Sequence, residues 1–257
     1  MRVVVCVKPT PEESELTINP ETGTLEREAG NLIINPFDLY AVEEAIRAGE
    51  RNEGVNTTAI AMAPPKGEGA LREALALGCN RAILLTDKRF AGADTLATSH
   101  TLSGAIRKLG FDLIICGMKS TDGDTAQVGP GIAEFLGIPH VSWVSSILEL
   151  GRKIVVKQML EDCYRDIEVE LPCLITVTKE INDPRLPSFK DKLRAKKATL
   201  ETWRLEDLGM KEENFGLKGS PTKVVKVGHP SYKKVVKFSD EVGLVDKLKE
   251  WRILEWC

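Results

Sequence analysis

The sequence lacks the features that mark several classes of protein. None of its apolar runs approaches the roughly 18–20 residues needed to span a bilayer, and the apolar start at residues 3–7 is too short for a signal peptide. Its six cysteines lie far apart, with no C-x-x-C pair and no metal-ligand spacing. At 257 residues and 42% hydrophobic content, the chain has ordinary globular composition. We therefore expect a cytoplasmic protein without membrane insertion, bound metal or disulfide bonds.

Common catalytic and nucleotide-binding motifs are also missing. The three histidines, His100, His140 and His229, have no carboxylate or cysteine at a meaningful spacing, and no segment resembles a nucleophile elbow. Neither G-x-G-x-x-G after the first strand nor G-x-x-x-x-G-K-[ST] is present, which excludes a standard dinucleotide fingerprint and a P-loop. If the protein carries out chemistry, a cofactor supplies it.

Charge is distributed unevenly along the chain. The net charge is −3, yet between Lys190 and Lys237 thirteen basic residues face only six acidic ones. Few aromatic residues interleave with these charges, and no nucleic-acid-binding motif surrounds them. The pattern favours a surface segment that lies on an acidic partner, or on the acidic remainder of the chain, over a nucleic-acid arm.

Hydrophobic periodicity in the first half predicts alternating strands and helices. This order is typical of an α/β fold that is doubly wound, with a mainly parallel sheet and right-handed crossovers. Strands are predicted at 3–7, 57–63, 82–86 and 112–116, and helices from Asn35 to near Gly49, at 69–77, near 94–109 and near 125–136.

The second half has a different pattern. Four strand-like runs, at 141–148, 153–159, 166–170 and 173–178, follow one another without long helices, which predicts hairpins along an antiparallel edge. From about Pro184 the periodicity is lost until an amphipathic helix at 240–254. We therefore predict a nucleotide-binding domain at 1–200 and an extended C-terminal arm at 201–257.

Two loops are candidate binding sites, because ligands of open parallel sheets bind beyond the carboxyl ends of the strands. The polar loop at 117–131 follows a strand and leads into a helix whose N-terminus favours a phosphate; a plain helix cap at Asp124 or Thr125 is the alternative. In GADTLATSH, residues 92–100, Asp94 is a candidate cap, and Thr95 and Thr98 offer hydroxyl groups.

Several segments together resemble the β subunit of electron transfer flavoproteins. The resemblance covers most of the chain and rests on VVVCVKPTPE (3–12), NPFDLYAVEEAIR (35–47), LREALALGCNRAILL (71–85), DLIICGMKSTDGDTAQVGPGIAEFLGIP (112–139), VELPCLITV (169–177) and INDPRLPSFKDKLRAKK (181–197).

The resemblance implies a heterodimer with an α subunit, around which the C-terminal arm would wrap. It further implies a recognition loop near 184–197 that docks on redox partners such as acyl-CoA dehydrogenases, through Pro184, Arg185, Phe189 and Leu193. Ferredoxin or flavodoxin is a further possible partner. Family members that carry single electrons hold structural AMP in the β subunit, whereas electron-bifurcating members hold a second FAD that accepts hydride from NADH.

The two subtypes differ in the candidate loops. GDTAQVGP and ADTLATS resemble the FAD-binding type, whereas Asn35-Pro36-Phe37-Asp38 is more similar to the AMP-binding type. We expect FAD, with NADH as a possible donor and AMP as the alternative. The cofactor-binding residues implied are Cys6, Val7, Lys8, Asn35, Asp38, Ala61, Met62, Ala63, Asp94, Thr95, Thr98, Gly117, Gly123, Asp124, Thr125, Ala126, Gln127, Val128 and Gly129.

Two other functions stay open from the sequence. A universal-stress-type nucleotide sensor shares the alternating pattern but gives no reason for the segment at 184–197 or the long arm. A structural subunit whose nucleotide serves only in packing is the other.

Overall fold

The structure is a computed structural model that describes residues 1–11, 17–18, 25–26, 32–225 and 241–251. The basic segment predicted from the sequence lies partly outside these residues, between 226 and 237. Of the predicted C-terminal helix at 240–254, residues Glu241–Glu250 are helical, and residues beyond 251 lie outside the described part.

Strands β1 to β13 are distributed along the whole described chain. Their bounds are Arg2–Cys6 (β1), Pro9–Pro11 (β2), Thr17–Ile18 (β3), Leu25–Glu26 (β4), Leu32–Ile34 (β5), Asn56–Met62 (β6), Arg81–Leu85 (β7), Leu113–Gly117 (β8), His140–Leu150 (β9), Lys153–Met159 (β10), Tyr164–Glu170 (β11), Cys173–Val177 (β12) and Glu201–Trp203 (β13).

A nine-stranded sheet organises the described residues. Its spatial order is β11-β10-β9-β12-β8-β1-β6-β7-β13. In this order, each pair of neighbours from β9 through β12, β8, β1, β6 and β7 to β13 is parallel. Strands β9, β10 and β11 form an antiparallel edge. The chain moves outward from β1 to β6 and β7, then returns to place β8 on the other side of β1. The sheet is therefore doubly wound, as the sequence predicts, with its switch point between β1 and β8.

One prediction about the second half is wrong. The run at 173–178 does not join the hairpin edge, because β12 lies between β8 and β9 and is parallel to both. Every residue of β12 is buried, with helices on both faces of the sheet, which is the environment of a parallel strand.

The helices cover both faces of the sheet. They are Pro36–Arg51 (α1), Glu68–Leu77 (α2), Thr95–Leu109 (α3), Val128–Leu136 (α4), Phe189–Lys197 (α5), Leu205–Leu208 (α6) and Glu241–Glu250 (α7). Helices α1 and α2 pack on one face and α3 and α4 on the other. Successive side chains of β1 point to opposite faces of the sheet and so enter different hydrophobic cores. Val3 and Val5 face α1 and α2, while Val4 and Cys6 face α3 and α4.

Residues after position 200 also contribute to the sheet and to its core. Strand β13 pairs in parallel with β7 and forms an edge of the sheet. Further along, Phe215 is only 1% exposed, and its ring lies 5.5 Å from that of Phe90. The segment that follows residue 200, which has few apolar residues, thus contributes to the hydrophobic core beside the sheet. That the rest of the C-terminal segment wraps an α subunit stays a prediction.

Within the described ranges, no helix is both long enough and apolar enough to cross a membrane.

Candidate functional site

The carboxyl ends of β1, β6, β7 and β8 lie along one edge of the sheet, because these four strands are parallel neighbours. The two candidate loops, at 92–100 and 117–131, lie after β7 and β8. The switch point between β1 and β8 divides them, and in open α/β sheets the crevice beyond such a point is the usual place for a ligand.

Asn35 and Asp38 connect the two strands that flank the switch point. The Asn35 side-chain amide donates to the carbonyl of Lys119 over 2.9 Å and accepts from the N–H of Thr121 over 3.2 Å. The Asp38 carboxylate accepts from the backbone N–H of Lys8 over 2.7 Å. Asn35 occupies the N-cap position of α1, but its side chain makes no cap hydrogen bond and bonds to the loop after β8 instead.

Burial sets the electrostatics of Asp38. The residue is 6% exposed, and its carboxyl group lies beside Gly117, where an added Cβ would be 2.3 Å from Asp38 Oδ1. Burial raises the pKa of Asp38 to about 7, although hydrogen bonds from Lys8 and Asn35 favour the charged form. Desolvation outweighs these donors because nearly all of the carboxyl group is withdrawn from water.

The loop from Met118 to Gln127 is held in shape by ion pairs. Lys8 Nζ lies 2.5 Å from Asp122 Oδ1 and 3.2 Å from Ser120 Oγ. Lys119 Nζ contacts Asp124 Oδ1 at 2.6 Å. Asp124 and Ala126 adopt positive φ angles of 50° and 54°, so two of three consecutive residues lie in the left-handed region of backbone conformation. We call residues 118–127 the β8 loop.

The end of this loop exposes backbone donors. None of the N–H groups of residues 125–129 bonds to another residue in the described part of the chain. Helix α4 begins at Val128, three residues later than predicted, and its N-cap residue Gln127 makes no side-chain cap. The plain-cap alternative at Asp124 or Thr125 is therefore wrong. A run of unpaired N–H groups at a helix N-terminus attracts an anion such as phosphate.

The start of α3 lies next to this run. Thr95 Oγ1 is 3.1 Å from Gln127 Oε1, so the two candidate loops contact each other. Asp94 caps α3, with its carboxylate accepting from the N–H of Ala97 over 3.0 Å. The same carboxylate accepts from the N–H and hydroxyl groups of Thr222, so it anchors the C-terminal segment and is not free for a ligand.

Side chains at the strand ends alternate between the two faces. Val7 and Ala61 are buried toward α1 and α2, so they could reach a ligand only through their backbone. Cys6 and Met62 face the α3 and α4 side, where residues 125–129 lie. The adjacent Cys6 thiol and burial hold the pKa of Cys116 well above its ordinary value. Cys116 is thus a neutral, unreactive thiol.

The predicted recognition loop is ordered on the opposite flank, against α1 and α2. Phe189 and Leu193, one turn apart on α5, are exposed at 77% and 46%. Arg185, which the resemblance places in the docking set, instead directs its guanidinium group to Glu43 and Glu50. Leu186 is 92% exposed, and sequence reasoning missed it. An apolar residue between Arg185 and Pro187, in an otherwise polar segment, was the signal available.

The fold and this edge of the sheet define a protein of the doubly wound α/β class. Comparison with known proteins narrows the class: the model of the electron transfer flavoprotein domain matches residues 22–208. The electron transfer flavoprotein subunit beta of Clostridium acetobutylicum is 46% identical over 247 residues, which cover 96% of this chain and 93% of that protein. The chain belongs to the electron transfer flavoprotein family, as a relative of its β subunits.

Two further relatives carry different names. Caffeyl-CoA reductase-Etf complex subunit CarD of Acetobacterium woodii is 41% identical and covers 99% of this chain and all of that protein. Protein FixA of Azorhizobium caulinodans is 41% identical over 90% of this chain and 85% of its own length. With the family shown, the universal-stress-type alternative is not supported.

Proposed function

We propose that this chain is the β subunit of a heterodimeric electron transfer flavoprotein and that the crevice at its switch point binds FAD. The observation that carries the proposal is the run of unpaired backbone N–H groups at 125–129, next to Thr95 and at the N-terminus of α4. Such a run suits the pyrophosphate that joins the two halves of FAD.

Other residues would assist the same ligand. Lys8, half-exposed beside the β8 loop, would add positive charge near the phosphates. The half-buried Thr98 would donate a hydroxyl group from the first turn of α3, and Thr95 would do so by exchanging its bond to Gln127 for one to the ligand. Bound FAD would supply the redox chemistry by accepting hydride from NADH, and the part of this chain is to bind and orient it.

The small residues of the β8 loop favour FAD over AMP. Gly123 and Ala126 leave space where longer side chains would project, and an added Cβ at Gly123 would lie 3.3 Å from Ser120 Oγ. Against this, the segment at 35–38 is more similar to the AMP-binding type. Structural AMP, with the chain acting in a simple one-electron carrier, is therefore the second candidate function.

We further propose that the segment at 184–197 docks on redox partners. Its exposed apolar side chains, Leu186, Phe189 and Leu193, suit an apolar pocket on another protein. The name of the A. woodii relative refers to a complex with a CoA-ester reductase, which supports an acyl-CoA dehydrogenase or reductase as partner. Ferredoxin or flavodoxin would be a further acceptor.

Counting nucleotides tests the cofactor proposal. The chain would be co-purified with its α subunit, and FAD and AMP released by acid would be quantified per heterodimer. Two FAD and no AMP are expected; one FAD and one AMP would contradict the proposal and identify the carrier type.

A substitution locates the site. Thr125→Trp places a bulky ring on the exposed loop end and should remove one nucleotide per heterodimer while the α-subunit FAD stays bound. Asp162→Trp, in the exposed turn between β10 and β11, is the matched control and should retain both. Full nucleotide content in Thr125→Trp would refute this location.

A further inference from the structure

The segment at 184–197, which we call the docking segment, exposes apolar side chains on a backbone that hydrogen bonds hold in place. Helix α5 begins after Ser188, whose hydroxyl oxygen accepts from the N–H of Asp191 over 3.2 Å. On its inner side Ala195 is buried at 2% exposure. The exposed residues therefore project from a short, capped helix and the turn before it.

One arginine fixes the front of the docking segment to α1. The guanidinium group of Arg185 donates to Glu43 over 2.8 and 3.1 Å and to Glu50 over 2.6 and 2.9 Å. The side chain of Glu43 is only 3% exposed. The backbone N–H of Arg185 also donates to Glu43, so the chain direction just before Leu186 is set by the same carboxylate. A guanidinium group that donates to two carboxylates fixes both the position and the orientation of the arginine side chain.

A second arginine, Arg72, holds the C-terminal end of the docking segment. Arg72 on α2 donates through Nη1 to the carbonyls of Ala195, Lys196 and Ala198 over 2.8, 3.1 and 3.3 Å. The carbonyls at the end of a helix have no partners within that helix, so Arg72 supplies a side-chain cap from another element.

Helix α1 connects this arrangement to the crevice at the switch point. Its first turn carries Asp38, which bonds to Lys8, and its middle and end carry Glu43 and Glu50, which bond to Arg185. Asn182 reinforces the connection by donating to the carbonyl of Tyr40 over 3.0 Å. The docking segment is thus held at a fixed place relative to the proposed nucleotide site by one helix.

We propose that Arg72 and Arg185 are positioning residues that hold the docking segment in its binding form before a partner arrives. The inference rests on the proposed docking function. A preformed segment pays less ordering entropy on association than one that must first become ordered. In this arrangement Arg185 does not contact the partner; it acts through the placement of Leu186 and Phe189.

The experiment uses the full αβ heterodimer and an acyl-CoA dehydrogenase, reduced with its acyl-CoA substrate, as the probe partner. Variants are Arg185→Gln, Arg72→Gln and the conservative Arg185→Lys, with Lys153→Gln as control. Lys153 pairs with Glu168 on the remote β10–β11 hairpin, so it matches the loss of charge without contacting the docking segment.

Two readouts are expected to change together. Amide hydrogen exchange over residues 186–195 should rise about tenfold or more in both Gln variants, and the KM for the heterodimer should rise about tenfold with kcat nearly unchanged. Nucleotide content should stay at the wild-type level. Arg185→Lys keeps the positive charge but loses the guanidinium group that donates to both carboxylates. Its exchange rate and its KM should therefore lie between those of the wild type and Arg185→Gln.

Separate outcomes distinguish the inference from the function on which it rests. Leu186→Ser removes an exposed docking side chain and no internal contact; an unchanged KM in this variant would refute docking by this segment. A raised KM in Leu186→Ser, with unchanged exchange and KM in both Gln variants, would refute only the positioning role. If Arg185→Gln does not fold, the half-exposed Glu50→Gln tests the same contact, and unchanged exchange and KM there would overturn the role of Arg185.

Discussion

Lys8 Nζ lies 2.5 Å from Asp122 Oδ1, so the exit of β1 is joined to the loop that leaves β8 across the switch point. The Lys8 side chain is 47% exposed, whereas that of Asp122 is 10% exposed. The pair therefore fixes the inner side of the β8 loop while about half of the Lys8 side chain stays exposed.

Loss of the Lys8 charge should weaken nucleotide binding. Lys8→Gln removes the ion pair that shapes the β8 loop and a positive charge close to the proposed phosphates. A hydrogen bond to a charged group contributes about 1.5–3 kcal/mol, so the affinity for FAD should fall roughly 10- to 100-fold. Fluorescence titration of the nucleotide-depleted heterodimer with FAD measures this. Lys153→Gln serves as the control, and equal affinity in both variants would exclude Lys8 from the site.

Asp38 should make the stability depend on pH. Its pKa is raised to about 7 in the folded protein, against an ordinary value of 3.8. Between these values the folded state holds a proton that the unfolded state has released, so the free energy of unfolding falls as pH rises from about 4 to about 7. This contribution is fully present below about pH 4 and lost above pH 7.

Two measurements check the Asp38 prediction. Carbon NMR of the Asp38 carboxyl group should give a midpoint near pH 7. Urea unfolding across the same range should show a decline for the wild type that is absent in Asp38→Asn, whatever the overall stability of that variant. An NMR midpoint near 4 would show that the donors from Lys8 and Gly117, not burial, control this group.

The sequence predicted the parts of the fold that depend on local pattern. Runs such as 113–116 are apolar throughout because both faces of the sheet are covered, and Asp94 caps α3 by accepting from a residue three positions later. Helix α4 was misplaced, since the left-handed backbone of Asp124 and Ala126 delays its start to Val128. Neither residue type requires that conformation, so periodicity alone could not indicate it.

Contacts between distant residues account for the other differences. Asn35 has the residue type of a helix cap, yet its amide bonds to Lys119 and Thr121 some 85 residues away. Arg185 has the appearance of a surface docking residue until α1 places Glu43 and Glu50 beside it. Such partners are known only once the fold has brought the elements together.

Gly129 should not tolerate a side chain. An added Cβ would lie 2.6 Å from Thr176 Cγ2, which would push the start of α4 away from β12. Gly129→Ala should lower the free energy of unfolding by about 1–3 kcal/mol and weaken FAD binding, because residues 125–129 would shift with the helix. Gly151→Ala is the matched control, since no atom of the described residues lies within 4 Å of its added Cβ. Urea unfolding of both variants measures the difference; similar values would show that α4 adjusts freely.

Phe215 should prove essential to the domain although it lies in a segment that looks like an arm in the sequence. Its ring lies 5.5 Å from Phe90 and 5.6 Å from His100, so it closes the core between β7 and α3. Phe215→Ala leaves a cavity there and should cost about 3–5 kcal/mol of stability. Val224→Ala, at a residue 77% exposed, should change stability by less than about 0.5 kcal/mol. Urea unfolding of the purified heterodimer measures both changes in stability. Hydrogen exchange in β7 and α3 shows whether the core around Phe215 is the part that is affected. If the two variants unfold alike, residues 201–220 are an attachment to a core that is complete without them.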